Sequence, residues 1–286
     1  MLTVGNPKEW RKFEERHRQF FENYSHLQEA QTCAFIRPLR EPTRRDLVVF
    51  YLGRLGVEDF QEILLLAGNG SGSAALKILR GMYERLVDGR YLSAAPDAEV
   101  ENFYSWHFVQ KRKLIHDITE TMGEDFFDGL GYEDQRQEIE AGYASVRDAF
   151  LVDHCEHCSK KRVNFTWSKK SLFQRAAAAG HSIRGLTFAA YYIPLEHTHS
   201  SIAAILHRLR ETDDGSITFQ DDVQLNEADL AVQYGFLLLL NILDLQRDHF
   251  KLNQLDESLK KCFVTYRDIY APGVDLDRSG GGLTLR

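Results

Sequence analysis

A chain of 286 residues, 43% of them apolar and 27% charged, carries enough apolar material for one large core or two small ones. Its net charge of −7 speaks against a uniformly basic nucleic-acid surface, leaving room only for a local patch. No run reaches about 18 consecutive apolar residues, so a membrane span is not supported, and the N-terminus MLTVGNPKEWRKFEER lacks the apolar core of a secretory signal.

Only six prolines punctuate the chain, which favours long helices over β-rich folds. Asn6-Pro7 is expected to open the first helix, with Asn6 as N-cap and Pro7 in the first turn; Trp10, Phe13, His17, Phe20 and Phe21 then recur near helical spacing. Pro38 and Pro42 bracket a break. A second helix is expected from Thr43 to about Ala67, bent at Gly53 or Gly56. Asn69–Ser73 reads as a turn in which a serine caps the next helix.

On that third helix Ala75, Leu76, Ile78, Leu79, Met82, Tyr83, Leu86 and Val87 form one apolar arc. Arg90 falls inside the arc and Arg80 at its edge, one turn from Glu84, the spacing of a helical ion pair. Further helices are expected from Ala98 to about Met122, Tyr132 to Leu151, Ser168 to Ala179 and Ile183 to Arg210, the last kinked or split at Pro194. Ser216–Gln220 suits a short strand. Glu227 to about Leu252 is apolar nearly all round at Phe236–Leu245 and reads as the central buried helix; Asp256–Tyr270 follows. The expected architecture is all-α, a single-domain multi-helix bundle over 1–272, with an irregular Cys/His-containing loop insertion at 152–167 and a disordered tail at 273–286.

Three constellations carry possible chemistry. Within that insertion, His154, Cys155, His157 and Cys158 include a Cys-x-x-Cys pair that can chelate one structural zinc, although the second half of a full zinc motif is missing. The only other cysteines, 33 and 262, are remote, so the chain lacks a disulfide scaffold and a reducing cytoplasm is the expected location. The second constellation is Tyr192, Glu196 and His199, which share a stripe if the helix runs on through Pro194; Glu196-x-x-His199 also has the spacing of carboxylate-bridged metal sites, but the matching partner, Glu14-x-x-His17, lies in a highly charged helix. The third is Arg80, Glu84 and Arg90. Charges facing a core must be paired or line a cavity, so these residues are either an inter-helix ion-pair network or a polar pocket that holds an anionic group. Arg11 with His17 and Arg175 with His181 loosely match arginine–histidine spacings of helical ribonucleases, at a level close to background for a chain with 11 histidines.

The run LLLAGNGSGSAALKILRGMYERLVDGRYL resembles the bacterial family catalogued as domain-of-unknown-function 5677, with its small-residue turn, an Arg-x-x-x-Glu helix (Arg80, Glu84) and a Tyr-Leu pair (Tyr91, Leu92); a later Tyr and His resemble Tyr192 and His199. The likeness spans roughly residues 47–206. It implies a bacterial, cytoplasmic, all-helical protein and supplies no activity or ligand. The expected role is binding of a ligand or partner through a polar pocket between helices; a hydrolase or nuclease of a defence or toxin-type system using His and Arg, and a helical assembly subunit, with homo-oligomers allowed, are the alternatives.

Overall fold

The computed structural model describes residues 5–123, 126, 133–155, 159–198, 202–206, 208–219, 223–272, 276–277 and 284–285. The described chain is overwhelmingly helical, as expected, and divides into two compact units: Met1–Ser93 with Leu172–Arg286, and Ala94–Ser171. The second unit takes in far more than the 152–167 stretch that the sequence marks as irregular.

Unit 1 begins with α1 (Pro7–Arg16), α2 (Arg18–Glu22) and α3 (Tyr24–Phe35). Asn6 caps α1 through a bond from Glu9 N, with Pro7 at the first position. Helix α4 (Arg44–Gly68) starts at a capping box, in which Thr43 Oγ1 accepts from Asp46 N and the Asp46 carboxylate accepts from Thr43 N. It is one continuous helix through Gly53 and Gly56. Both glycines mark where another helix comes in. A Cβ at Gly56 would lie 2.5 Å from Ile242 Cδ1, and one at Gly53 would lie 2.5 Å from Gln246 Nε2. A side chain at either position would displace its neighbour, and Gln246 is held in place by Nε2 donating to the Val49 carbonyl at 2.8 Å.

The Asn69–Ser71 turn, with Gly70 at φ +82°, leads to α5 (Gly72–Ala94). An acceptor at the start of α5 is Gln224 Oε1, 2.9 Å from Ser73 N, where a serine cap was expected; Gln224 N in turn donates to the Gly70 carbonyl at 3.1 Å. After unit 2 the chain returns through α8 (Leu172–Ala179), α9 (His181–Gly185), a π-helical turn at Phe188–Tyr192, α10 (Ile193–Thr198) and α11 (Ile202–Leu206). A hairpin follows, β3 (Leu209–Glu211) with β4 (Ile217–Phe219), placing a strand where one was expected.

Helix α12 (Leu225–Phe250) then crosses the unit antiparallel to α4, since Gly53, Gly56 and Phe60 meet Gln246, Ile242 and Gly235 in reverse order. By length and composition it is the one helix among the described residues apolar enough to cross a membrane, and 78% of its most apolar window is buried in the structure, as befits a core helix. Helix α13 (Asp256–Tyr270) closes the unit, and Phe20, Phe60, Phe236 and Tyr266 interlock edge-on at its centre. In the tail, read from sequence as disordered, Leu276–Asp277 pairs antiparallel with Thr284–Leu285.

Unit 2 is built on α6 (Asp97–Met122) and α7 (Glu133–Val146), which meet where Gly142 receives the Phe108 ring and Arg112 covers Tyr143 while pairing with Glu140 at 3.3 Å. Phe150 packs on Trp106 and Trp167 on Phe103. The expected loop is a short ribbon, β1 (Leu151–Asp153) antiparallel to β2 (Lys161–Val163), extended by His154 N donating to the Lys160 carbonyl.

Candidate functional site

Helix α5 needs one buried face, and Leu76, Leu79, Tyr83 and Leu86 supply it. Its flanks carry ionisable groups, three of which pair with other elements of unit 1. Arg85 reaches Asp59 on α4, Asp88 pairs with Arg175 on α8 at 2.8 Å, and Arg90 pairs with Asp244 on α12. Arg80 alone turns toward the π turn.

Pro194 accounts for that turn. A proline has no N–H, and its ring crowds the carbonyl four residues back, here that of Ala190. The backbone widens just before it, with Ile193 N donating to the Phe188 carbonyl five residues back. The extra residue places Tyr191 toward α5 and Tyr192 toward solvent, the latter 46% exposed.

The Arg80 guanidinium is held on three sides. Its Nε donates to Glu84 Oε1 at 3.1 Å, its Nη2 lies 3.4 Å from the Tyr191 hydroxyl, and its Cζ sits 4.8 Å from the Tyr191 ring centre. Nη1 makes no bond among the described residues. The Tyr191 ring stands perpendicular to both Phe173 and Tyr192, which stack on each other at 5.4 Å and 14°. Beneath them Tyr83 is fully buried. Thr187 Oγ1 donates to the Arg184 carbonyl and accepts from the Tyr83 hydroxyl at 2.7 Å, and burial raises the Tyr83 phenol above its ordinary value. The result is a fixed guanidinium–carboxylate pair beside a flat, partly exposed aromatic surface of Phe173 and Tyr192.

Of the residues expected to share a pocket, Arg80 and Glu84 meet, and Tyr192 joins them through Tyr191. Glu196 is exposed on α10. Arg90 lies ten residues beyond Arg80, about 15 Å along the helix, inside a separate network. There Asp244 is 1% exposed and lies between Arg90 and Arg247; burial pushes its carboxyl upward against the pull of both arginines. For Arg90 the structural alternative, an inter-helix ion pair, is the one the structure contains. His199 lies outside the described residues.

The suggested zinc ligands His157 and Cys158 also lie outside the described residues; His154 and an exposed Cys155 follow strand β1. No cluster of three potential metal ligands occurs among the described residues. Of the ribonuclease-like pairs, Arg175 is paired with Asp88, and His17 is buried with Nε2 2.9 Å from Asp229 and Nδ1 3.5 Å from the Tyr270 hydroxyl.

Sequence reasoning missed Tyr191, Phe173 and the Tyr83–Thr187 bond. A signal for the first was present in the Tyr-Tyr pair ahead of Pro194, since a π turn advances the register by one residue and hands the inward position to the earlier tyrosine.

Against known proteins, the model of a family described as a family of unknown function, DUF5677, matches residues 46–217, more than half of the chain and including Arg80, Glu84 and the π turn. No curated protein and no solved structure matches.

Proposed function

The chain belongs to the DUF5677 family of unknown function, which hands it no reaction, and on that premise we propose that it is a binding protein whose ligand, a small molecule or a partner's side chain, docks at the Arg80–Tyr191 surface. The observation that carries this reading is the arrangement of Arg80. Two of its nitrogens are committed to Glu84 and Tyr191, which fix the guanidinium in place, while Nη1 remains for an incoming acceptor. The exposed stack of Phe173 and Tyr192 beside it offers a flat apolar face. A planar group bearing a carboxylate or carbonyl satisfies both at once: the plane on the rings, the acceptor on Nη1. π turns concentrate at functional sites because they cost backbone regularity, and this one sets the position of Tyr191. Binding is favoured over the hydrolase alternative because it uses only groups that meet in unit 1.

The test is saturation-transfer NMR on the full chain with a panel of aryl carboxylates and aryl amides. Transfer to a member of the panel, lost in both Tyr192→Ala and Arg80→Met while the thermal midpoints hold, supports the proposal. Absence of transfer across the panel, or binding retained in both variants, overturns it.

A further inference from the structure

Away from this surface, helix α13 and the α2–α3 segment enclose an open groove of about 620 Å³, within the range of small-molecule sites. One wall is a single face of α13, on which Lys260, Lys261, Val264, Thr265 and Asp268 follow the i, i+1, i+4, i+5, i+8 pattern of a helix stripe. The other wall is Gln19, Asn23 and His26, again one helical face. The two run antiparallel, because His17 at the start of α2 meets Tyr270 at the end of α13. His26 therefore stands opposite the end of the groove that holds Lys260 and Lys261, and Gln19 opposite the end that holds Asp268.

The charges at the two ends are not equivalent. Asp268 is already engaged by Arg267 at 2.7 Å, and Asp256, just before the groove, lies 3.7 Å from Arg247. Lys260, Lys261 and His26 have no carboxylate within ion-pair distance among the described residues, and Glu257 is the one acidic group that lines their end. In a chain of net charge −7, two lysines from one wall and an imidazole from the other line the same end of the groove, with Glu257 as the acidic group beside them. We propose that this end of the groove binds the phosphate of a small phosphate monoester.

Phosphate fits better than carboxylate. Three separate point donors suit an anion with oxygens on every side, whereas planar carboxylates are matched by the fork of an arginine, and the groove's lining contains none. The body of the ligand extends toward Asp268 along Asn23, Thr265 and Gln19, which offer hydrogen bonds, over Val264 and Ile269. Burial of a bound monoester against these walls supplies what inorganic phosphate lacks, so the ester binds more tightly.

The experiment is a ³¹P NMR titration of the full chain with inorganic phosphate and with glycerol 3-phosphate, at low and at 0.5 M NaCl. A saturable ³¹P shift is expected for both, tighter for the ester and weakened by salt. Lys260→Gln/Lys261→Gln should weaken binding by at least about tenfold, from the loss of two charge-assisted bonds; His26→Gln should weaken it less. These side chains sit on the groove surface, so circular dichroism should show unchanged folding. Arg80→Met should bind glycerol 3-phosphate like the parent chain, which separates this site from the aromatic surface. Linear, unsaturable shifts for both probes, or a double-glutamine variant that binds like the parent, would overturn the assignment.

Discussion

Arg90 and Asp244 form an ion pair between α5 and α12 that is almost wholly withdrawn from water, with side chains 8% and 1% exposed. Asp244 also faces Arg247 at 2.6 Å, so loss of Arg90 leaves the carboxylate with one of its two cations. Arg90→Met should therefore destabilise unit 1 at pH 7, by less than the roughly 3–5 kcal/mol of a buried charge left with no partner, read by urea denaturation. Burial already raises the Asp244 carboxyl, and loss of Arg90 raises it further. A carboxyl raised in the folded variant takes up its proton at higher pH than in the unfolded chain, so the deficit should shrink as the pH falls. A deficit that does not change with pH would show that Arg247 keeps Asp244 ionised without Arg90.

Asp59 provides a second pH-dependent case. Burial, together with Glu58 and Glu62, raises its carboxyl to about 6 despite the Arg85 guanidinium beside it. A folded-state value above the unfolded one means the folded form binds the extra proton. The associated stability is present below about pH 4 and is lost as pH rises through about 6, up to about 3 kcal/mol over the interval. Asp59→Asn should remove this slope. Thermal midpoints of the two proteins from pH 4 to 7 should diverge, the parent falling relative to the variant.

A methyl group at Gly56 would lie 2.5 Å from Ile242 Cδ1, so the Ile242 side chain must move to admit it. Alanine is the better helix former by about 1 kcal/mol, yet Gly56→Ala should cost about 1–3 kcal/mol because overpacking outweighs propensity. Ile242→Val in the same chain removes the clashing Cδ1 and should recover part of the loss. Equilibrium unfolding of the two single variants and the double variant measures the coupling.

Helix boundaries were legible where local chemistry decides them. Asn6-Pro7, Thr43 with Asp46, and the run Asp256–Tyr270 all begin or span helices as their sequences state. The central helix was legible from its unbroken apolar character. What the sequence could not show was partner choice. Nothing local distinguishes Arg80, which turns to Tyr191, from Arg90, which turns to Asp244, because that difference is set by elements more than 100 residues away. The neighbours of Gly53 and Gly56 were hidden for the same reason: glycine inside a helix signals either a bend or a close neighbour, and only packing shows the neighbour. The glutamine cap on α5 arrives from position 224, beyond the reach of any nearby motif.

The close contacts between α4 and α12 also bear on how such chains diverge. A side chain gained at 53 or 56 displaces the one at 246 or 242, so in an alignment of relatives that extends past the matched residues 46–217 each pair of columns should drift together or stay fixed. Covariation at 53/246 and 56/242 would then report the helix seam in relatives for which no coordinates exist.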